Sequence, residues 1–174
     1  MAISRRGHGQ GPFGGDMIGP NPTDRGKRGV KRSLAVEANG GPTAIIVAGA
    51  NVPDYKFLAQ TLDAMVVERP LPTAQEPQHL CLDKGYDNRY GRQAALERGY
   101  TPHICRIREE GQASGDRPFP PRRWVVERTF AWLSKCRALL VRYDKHARNY
   151  LSLLQLACAL LWFRRLHRLT DSQL

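Results

Sequence analysis

The sequence contains no apolar run close to the roughly 20 residues that a membrane-crossing helix needs. Its opening residues, MAISRRGHGQ, lack the apolar stretch of a secretory signal. A cytoplasmic protein with no membrane association is expected. Acid is scarce: 16 Asp and Glu stand against 27 Lys and Arg, for a formal charge of +11. Such a balance favours a polyanionic partner such as nucleic acid, although a basic ribosomal or membrane-surface protein would share it. The four cysteines, Cys81, Cys105, Cys136 and Cys158, form no C-x-x-C pair and sit mostly within apolar runs. Reduced core thiols are expected, in place of a disulfide framework or a zinc site. No internal repeat is visible, and 174 residues suit one domain with a sizeable core and no second full domain.

Residues 7 to 32 repeat Gly, Pro and basic residues and end in GPNPTDRGKRGVKR. That composition opposes helix and sheet interiors, so residues 1–32 are expected to form a positively charged, exposed loop region. From Ser33 the pattern changes. SLAVEAN and TAIIVAGAN are two β-prone runs joined by Asn39, Gly40 and Gly41, which predicts an antiparallel hairpin. Leu58, Leu62 and Met65 then recur at helical spacing over Tyr55 to Val67, with Asp54 placed as an N-cap. After a Pro-rich loop around Pro70, Pro72 and Pro77, HLCLD is a short buried strand that stops at Asp83, followed by Lys84, Gly85 and Tyr86. Asn88 to Gly99 predicts a helix ended by Gly99, and Thr101 to Ile107 predicts a strand. Strand, helix, strand in that order implies a parallel pair. Glu109 to Pro121 reads as a polar Gly-Pro loop, Arg122 to Leu140 as a long helix, and Tyr150 to Leu166 as an apolar helix docked on the core. The basic residues Arg164, Arg165, His167 and Arg168 cap its end.

Two acids stand out by position. Asp83 closes an apolar strand, and Glu127 lies in a helix among Val125, Val126, Phe130 and Trp132. Partly buried carboxylates need partners, and a divalent cation is one, because oxygen ligands suit magnesium or manganese. An ion pair is another: Arg123 lies four residues before Glu127, and Arg128 follows it. Asp83 also reads as a turn acid, and Asp87 as a helix cap ahead of Asn88. From Arg117 to Arg148 there are nine Lys or Arg residues and only two acids, Glu127 and Asp144. Basic side chains of that density suit phosphates, whereas a carboxylate among them repels phosphate unless a cation intervenes. The combination points to metal-assisted phosphodiester chemistry.

Four blocks, GPNPTDRGKRGVKRS, GAN followed by Asp54, LDKGYD, and RRWVVERTFAWLSKCR, resemble in order the signature blocks of bacterial insertion-sequence DDE transposases. The resemblance runs from about Gly14 to Leu166. It implies an α/β, ribonuclease-H-like fold, a mixed sheet flanked by helices, over residues 33–166, with 167–174 as a tail. It also implies three acids holding two magnesium or manganese ions for cleavage and joining of DNA, without a covalent protein intermediate. By that resemblance Asp83 matches the second catalytic and metal-binding acid and Glu127 the third. Arg123 matches a basic position near DNA phosphates, and Lys135 or Arg137 the basic position about two turns beyond the Glu. Arg25, Lys27, Lys31, Arg32 and Arg128 are further candidate DNA contacts. The partners implied are element ends and target DNA, with a homodimer as the working form.

The pattern departs at the start. The family carries its first Asp on the opening central strand, about ten residues before paired glycines that match Gly14 and Gly15, and here that region reads Ser4, Arg5, Arg6. Most of the first central strand is therefore expected to be missing, along with the upstream region that binds DNA ends. A fragment left by mutation, a second reading frame fused by frameshifting, and a start codon assigned too late all fit. Asp16 and Asp24 are the nearest substitutes, both in loop sequence that positions a ligand poorly. Two further readings stand beside an active transposase domain: a catalytically dead DNA-binding or dimerising remnant, and a general basic RNA-binding protein.

Overall fold

The computed structural model describes residues 1–4, 8–104 and 123–171. Its centre is a mixed sheet. Strand β4 (Arg28–Val36) pairs antiparallel with β5 (Pro42–Gly49) along its whole length. On its other edge β4 pairs antiparallel with β1 (Ala2–Ser4) and β2 (His8–Gln10). The two-residue β3 (Gly19–Pro20) also pairs with its start. β1 then pairs parallel with β6 (Gln78–Leu82), and β6 parallel with β7 (Tyr100–Ile104). The resulting order β5-β4-β1-β6-β7, with helices on both faces, is the expected mixed, ribonuclease-H-like α/β architecture.

The hairpin forms because alternating β-branched residues meet a turn that Gly40 can close. Gly40 has φ +89, and the turn is fastened by Glu37, which accepts from the Asn39 and Gly41 amides at 2.6 Å each. A Cβ at Gly40 would come within 3.1 Å of Thr129 and Val125, so the same glycine lets a helix lie against the turn.

Two cores result. On one face α1 (Tyr55–Asp63) and α2 (Arg89–Leu96) bury Leu58, Leu62, Ala94 and Ala95 against Ile3, Ala35, Leu80 and Leu82. On the other, α3 (Arg123–Leu133), α4 (Arg137–Leu140) and α5 (Ala147–Asp171) bury Val125, Val126, Phe130, Leu139, Tyr150 and Leu154 against Ala2, Val30, Leu34 and Val36. Alternation along the strands sends neighbouring residues to opposite cores. No helix among the described residues is long and apolar enough to cross a membrane.

Several expectations change. Residues 1–32 are not simply an exposed loop: Ala2 and Ile3 are fully buried, and β1 occupies the centre of the sheet. Three residues suffice because neighbours on both sides satisfy their backbone groups. The strand read from Ser33 begins at Arg28. Asp54 precedes α1 but makes no cap bond, and Asn88, not Asp87, caps α2 by accepting from the Gly91 amide at 2.9 Å. The long helix from Arg122 breaks after Leu133, where the Lys135 and Cys136 amides turn back three residues to Trp132 and Leu133. The polar loop from Glu109 to Pro121 and Cys105 lie outside the described residues. Cys81, Cys136 and Cys158 are free thiols, and burial pushes Cys158 up to about 12.

Candidate active site and nucleic-acid surface

Asp83 follows directly on β6, with extended backbone (φ −70, ψ 155), and its carboxylate accepts from the Lys84 amide at 3.2 Å. A single 3-10 turn, Lys84–Tyr86, leaves the strand there, and the fully buried Tyr86 anchors it. Leu80 and Leu82 belong to the α1–α2 core while Cys81 packs on the other, so alternation puts Asp83 on the α3 side of the sheet. The parallel register Ile3 with Leu82 makes Ser4 and Asp83 the next residues on neighbouring strands. Of the first central strand, expected to be mostly missing, the three residues of β1 are present, and they end at Ser4 beside Asp83.

Glu127 is half-buried on α3, which packs on β1 and β4. Asp83 and Glu127 therefore come from elements that flank the same strand. The Arg123 side chain, and with it the expected ion pair to Glu127, lies outside the described residues. Among the described residues no group of three or more His, Cys, Asp or Glu could hold a metal ion.

The two substitute acids have other occupations. Asp16 accepts from the amide of Ala147, the first residue of α5, at 2.8 Å and from Arg142 at 3.2 Å. Burial works to raise its pKa, but the Ala147 amide, its own amide, Arg142 and His146 outweigh that and leave the carboxyl below its usual range. It caps a helix from 131 positions away in the chain. Asp24 forms an exposed ion pair with Lys27 at 3.4 Å.

The candidate DNA contacts divide sharply. Lys31 and Arg32 are 6% and 4% exposed, and neither presents its charge to a ligand. Because β4 is covered on both faces, Lys31 turns into the α1 side and Arg32 into the α3 side. Lys31 pairs with Asp54 at 2.9 Å and donates to the Val52 carbonyl at 2.5 Å. Arg32 lies over the Phe130 ring and donates to the Leu139 carbonyl at 3.4 Å. Both were read as exposed because cations usually are. Arg25, Lys27, Arg128, Lys135 and Arg137 are exposed. Arg128 donates to the Asn39 carbonyl at 2.5 Å and stacks on Trp124.

Residues 3–162 match the family model of the transposase DDE domain. This chain belongs to the DDE transposase domain family. A curated relative from Burkholderia cepacia, described as "Putative transposase for insertion sequence element IS402", is 39% identical over 162 residues, covering 92% of this chain and 75% of the relative. No solved structure matches the chain.

Proposed function

We propose that this chain is the catalytic domain of an insertion-sequence transposase, working on DNA in the cytoplasm, in which Asp83 and Glu127 are two of three metal-binding carboxylates and Ser4 occupies the place of the first. The observation that carries the reading is the register of β1 on β6, with Ser4 next to Asp83 on adjacent parallel strands, one residue beyond the Ile3–Leu82 pair. Two carboxylates suit one magnesium ion that takes its remaining ligands from water and phosphate, but they do not complete a two-ion site. When bound, such an ion supplies Lewis acidity and charge to phosphodiester cleavage. The chain's own part is to hold its two carboxylates on rigid elements and to set exposed cations around them for the DNA backbone.

Losing one acid weakens metal binding and removes charge compensation at the reacting phosphate. As it stands, the chain is therefore a DNA-binding domain with little or no strand cleavage, which is the remnant reading. The test is nicking of the element's own end DNA with magnesium or manganese. Ser4→Asp is expected to nick, the unaltered chain to be at or near background, and Ser4→Asp with Asp83→Asn to be inactive. Ser4→Asp nicking no better than the unaltered chain, or nicking equally well with Asp83→Asn added, overturns the reading.

A homodimer is the proposed working form. Support comes from Leu153, Leu156, Leu160 and Phe163, exposed on α5 at alternating three- and four-residue spacing, as in paired helices. Light scattering on the unaltered chain and on Leu156→Glu tests it: a dimer that Leu156→Glu dissociates is expected, and a monomer in both overturns it.

A further inference from the structure

The buried stripe of α5 changes character at its end. Tyr150, Leu154, Ala157, Cys158 and Leu161 are buried at helical spacing, and the next residues on that stripe are Arg164, Arg165 and Arg168. These arginines do not radiate into solvent at random. With Arg128, Thr129 and Trp132 of α3 and Leu161, they line a cleft of about 300 Å³ between the two helices. Arg164 lies over the Trp132 ring at 5.6 Å, so the indole supports one face of the guanidinium. Arg165 is held at the cleft's edge by Glu37 at 3.1 Å and the Asn39 carbonyl at 2.8 Å.

Four guanidinium groups thus line one cleft, and of these Arg165 is engaged by Glu37. Arg164 and Arg168 are an i,i+4 pair of like charge, which disfavours the helix unless an anion lies between them. Arginine's planar fork matches phosphate oxygens, and a stacked guanidinium is already oriented to use it.

We infer that the α3–α5 cleft is a phosphate-binding site that grips the DNA backbone through Arg164 and Arg168, at a place separate from Asp83 and Glu127. This deepens the proposed function and rests on DNA being the partner. It adds a second anchor, on the face of α3 turned toward α5, so that the strand is held beyond the reacting phosphate.

The experiment is anisotropy titration of a short fluorescein-labelled duplex at several salt concentrations, with sodium polyglutamate as a competing acidic polymer. Arg164→Gln with Arg168→Gln is expected to bind at least about tenfold more weakly. The slope of log K against log salt is expected to fall in magnitude by about 2, near 0.9 for each phosphate that the variant no longer neutralises. Arg164→Lys with Arg168→Lys keeps the slope. Should the double Gln variant unfold by circular dichroism, Arg168→Gln alone carries the test, with a slope change of about 1. Unchanged affinity and slope in the Gln variant overturn the inference while leaving the cleavage reading untouched. Loss of polyglutamate competition with DNA binding intact overturns it in favour of an acidic protein partner. No DNA binding by the unaltered chain overturns it together with the reading it rests on.

Discussion

In β4, the charges of Lys31 and Arg32 end inside the protein, on Asp54 and main-chain carbonyls beneath two layers of helix. At the end of α5, Arg164 and Arg168 end in an open cleft with other arginines and Trp132. The residue types are alike and the uses opposite. A buried cation must be satisfied by acceptors the chain itself supplies, because leaving it unpaired in a low-dielectric interior costs several kcal/mol. A cleft cation keeps access to water and can wait for a ligand. Interior cations therefore belong to stability and cleft cations to binding, and substitutions should separate the two.

The largest effect is expected at the interior pair. Asp54→Ala leaves Lys31 buried without its carboxylate and should lower unfolding free energy by about 3–5 kcal/mol, measured by urea denaturation. Replacing both residues, Lys31→Met with Asp54→Leu, should recover most of that loss. Next comes Arg142, whose side chain is fully buried over Tyr150 and donates to the Asp144 and Lys145 carbonyls as well as to Asp16. Arg142→Ala should cost about 3 kcal/mol and expose the start of α5 to hydrogen exchange. DNA affinity at low salt should hardly move in either variant under conditions where it stays folded.

A smaller, pH-dependent effect is expected at Asp16. Its pKa is depressed on folding, so its contribution is present above the ordinary carboxylate value and lost as pH falls through the lowered folded value. Stability of the unaltered chain should drop over that acidic window, and Asp16→Asn should flatten the drop. A profile that Asp16→Asn leaves unchanged would remove the capping role. The smallest stability effect belongs to Arg164→Gln with Arg168→Gln, within about 0.5 kcal/mol, although DNA binding suffers most there. Reversal of the pattern, with cleft variants unfolding and interior ones losing DNA alone, breaks the comparison.

Much of the framework was legible because it is local. Period-two alternation with Asn39, Gly40 and Gly41 marked the hairpin, the abrupt end of HLCL marked Asp83, and strand-helix-strand order implied the parallel β6–β7 pair. The misses share one cause: their determinants lie far apart in the chain. β1 and β2 are three residues each, too short for periodicity, and are strands because β4 and β6 pair with them. Lys31 and Arg32 carry exposed-type side chains, and only the helices on both faces bury them. Asp16 sits in Gly-rich sequence, and its partners Arg142 and Ala147 lie 126 and 131 positions away. The cleft was half visible, since the basic run after Leu161 could be seen, but its continuity with the buried stripe needed the position of α3. For the candidate site, Asp83 and Glu127 came from sequence blocks, whereas the place of Ser4 beside Asp83 needed the strand register.

Manganese binding followed by electron paramagnetic resonance bears most directly on the claim that Ser4, Asp83 and Glu127 surround one cation position. Ser4→Asp should bind the ion more tightly than the unaltered chain, and adding either Asp83→Asn or Glu127→Gln should abolish that gain. If the ion binds the Ser4→Asp protein no better, or binds equally well without Asp83 or Glu127, the three positions do not form one site.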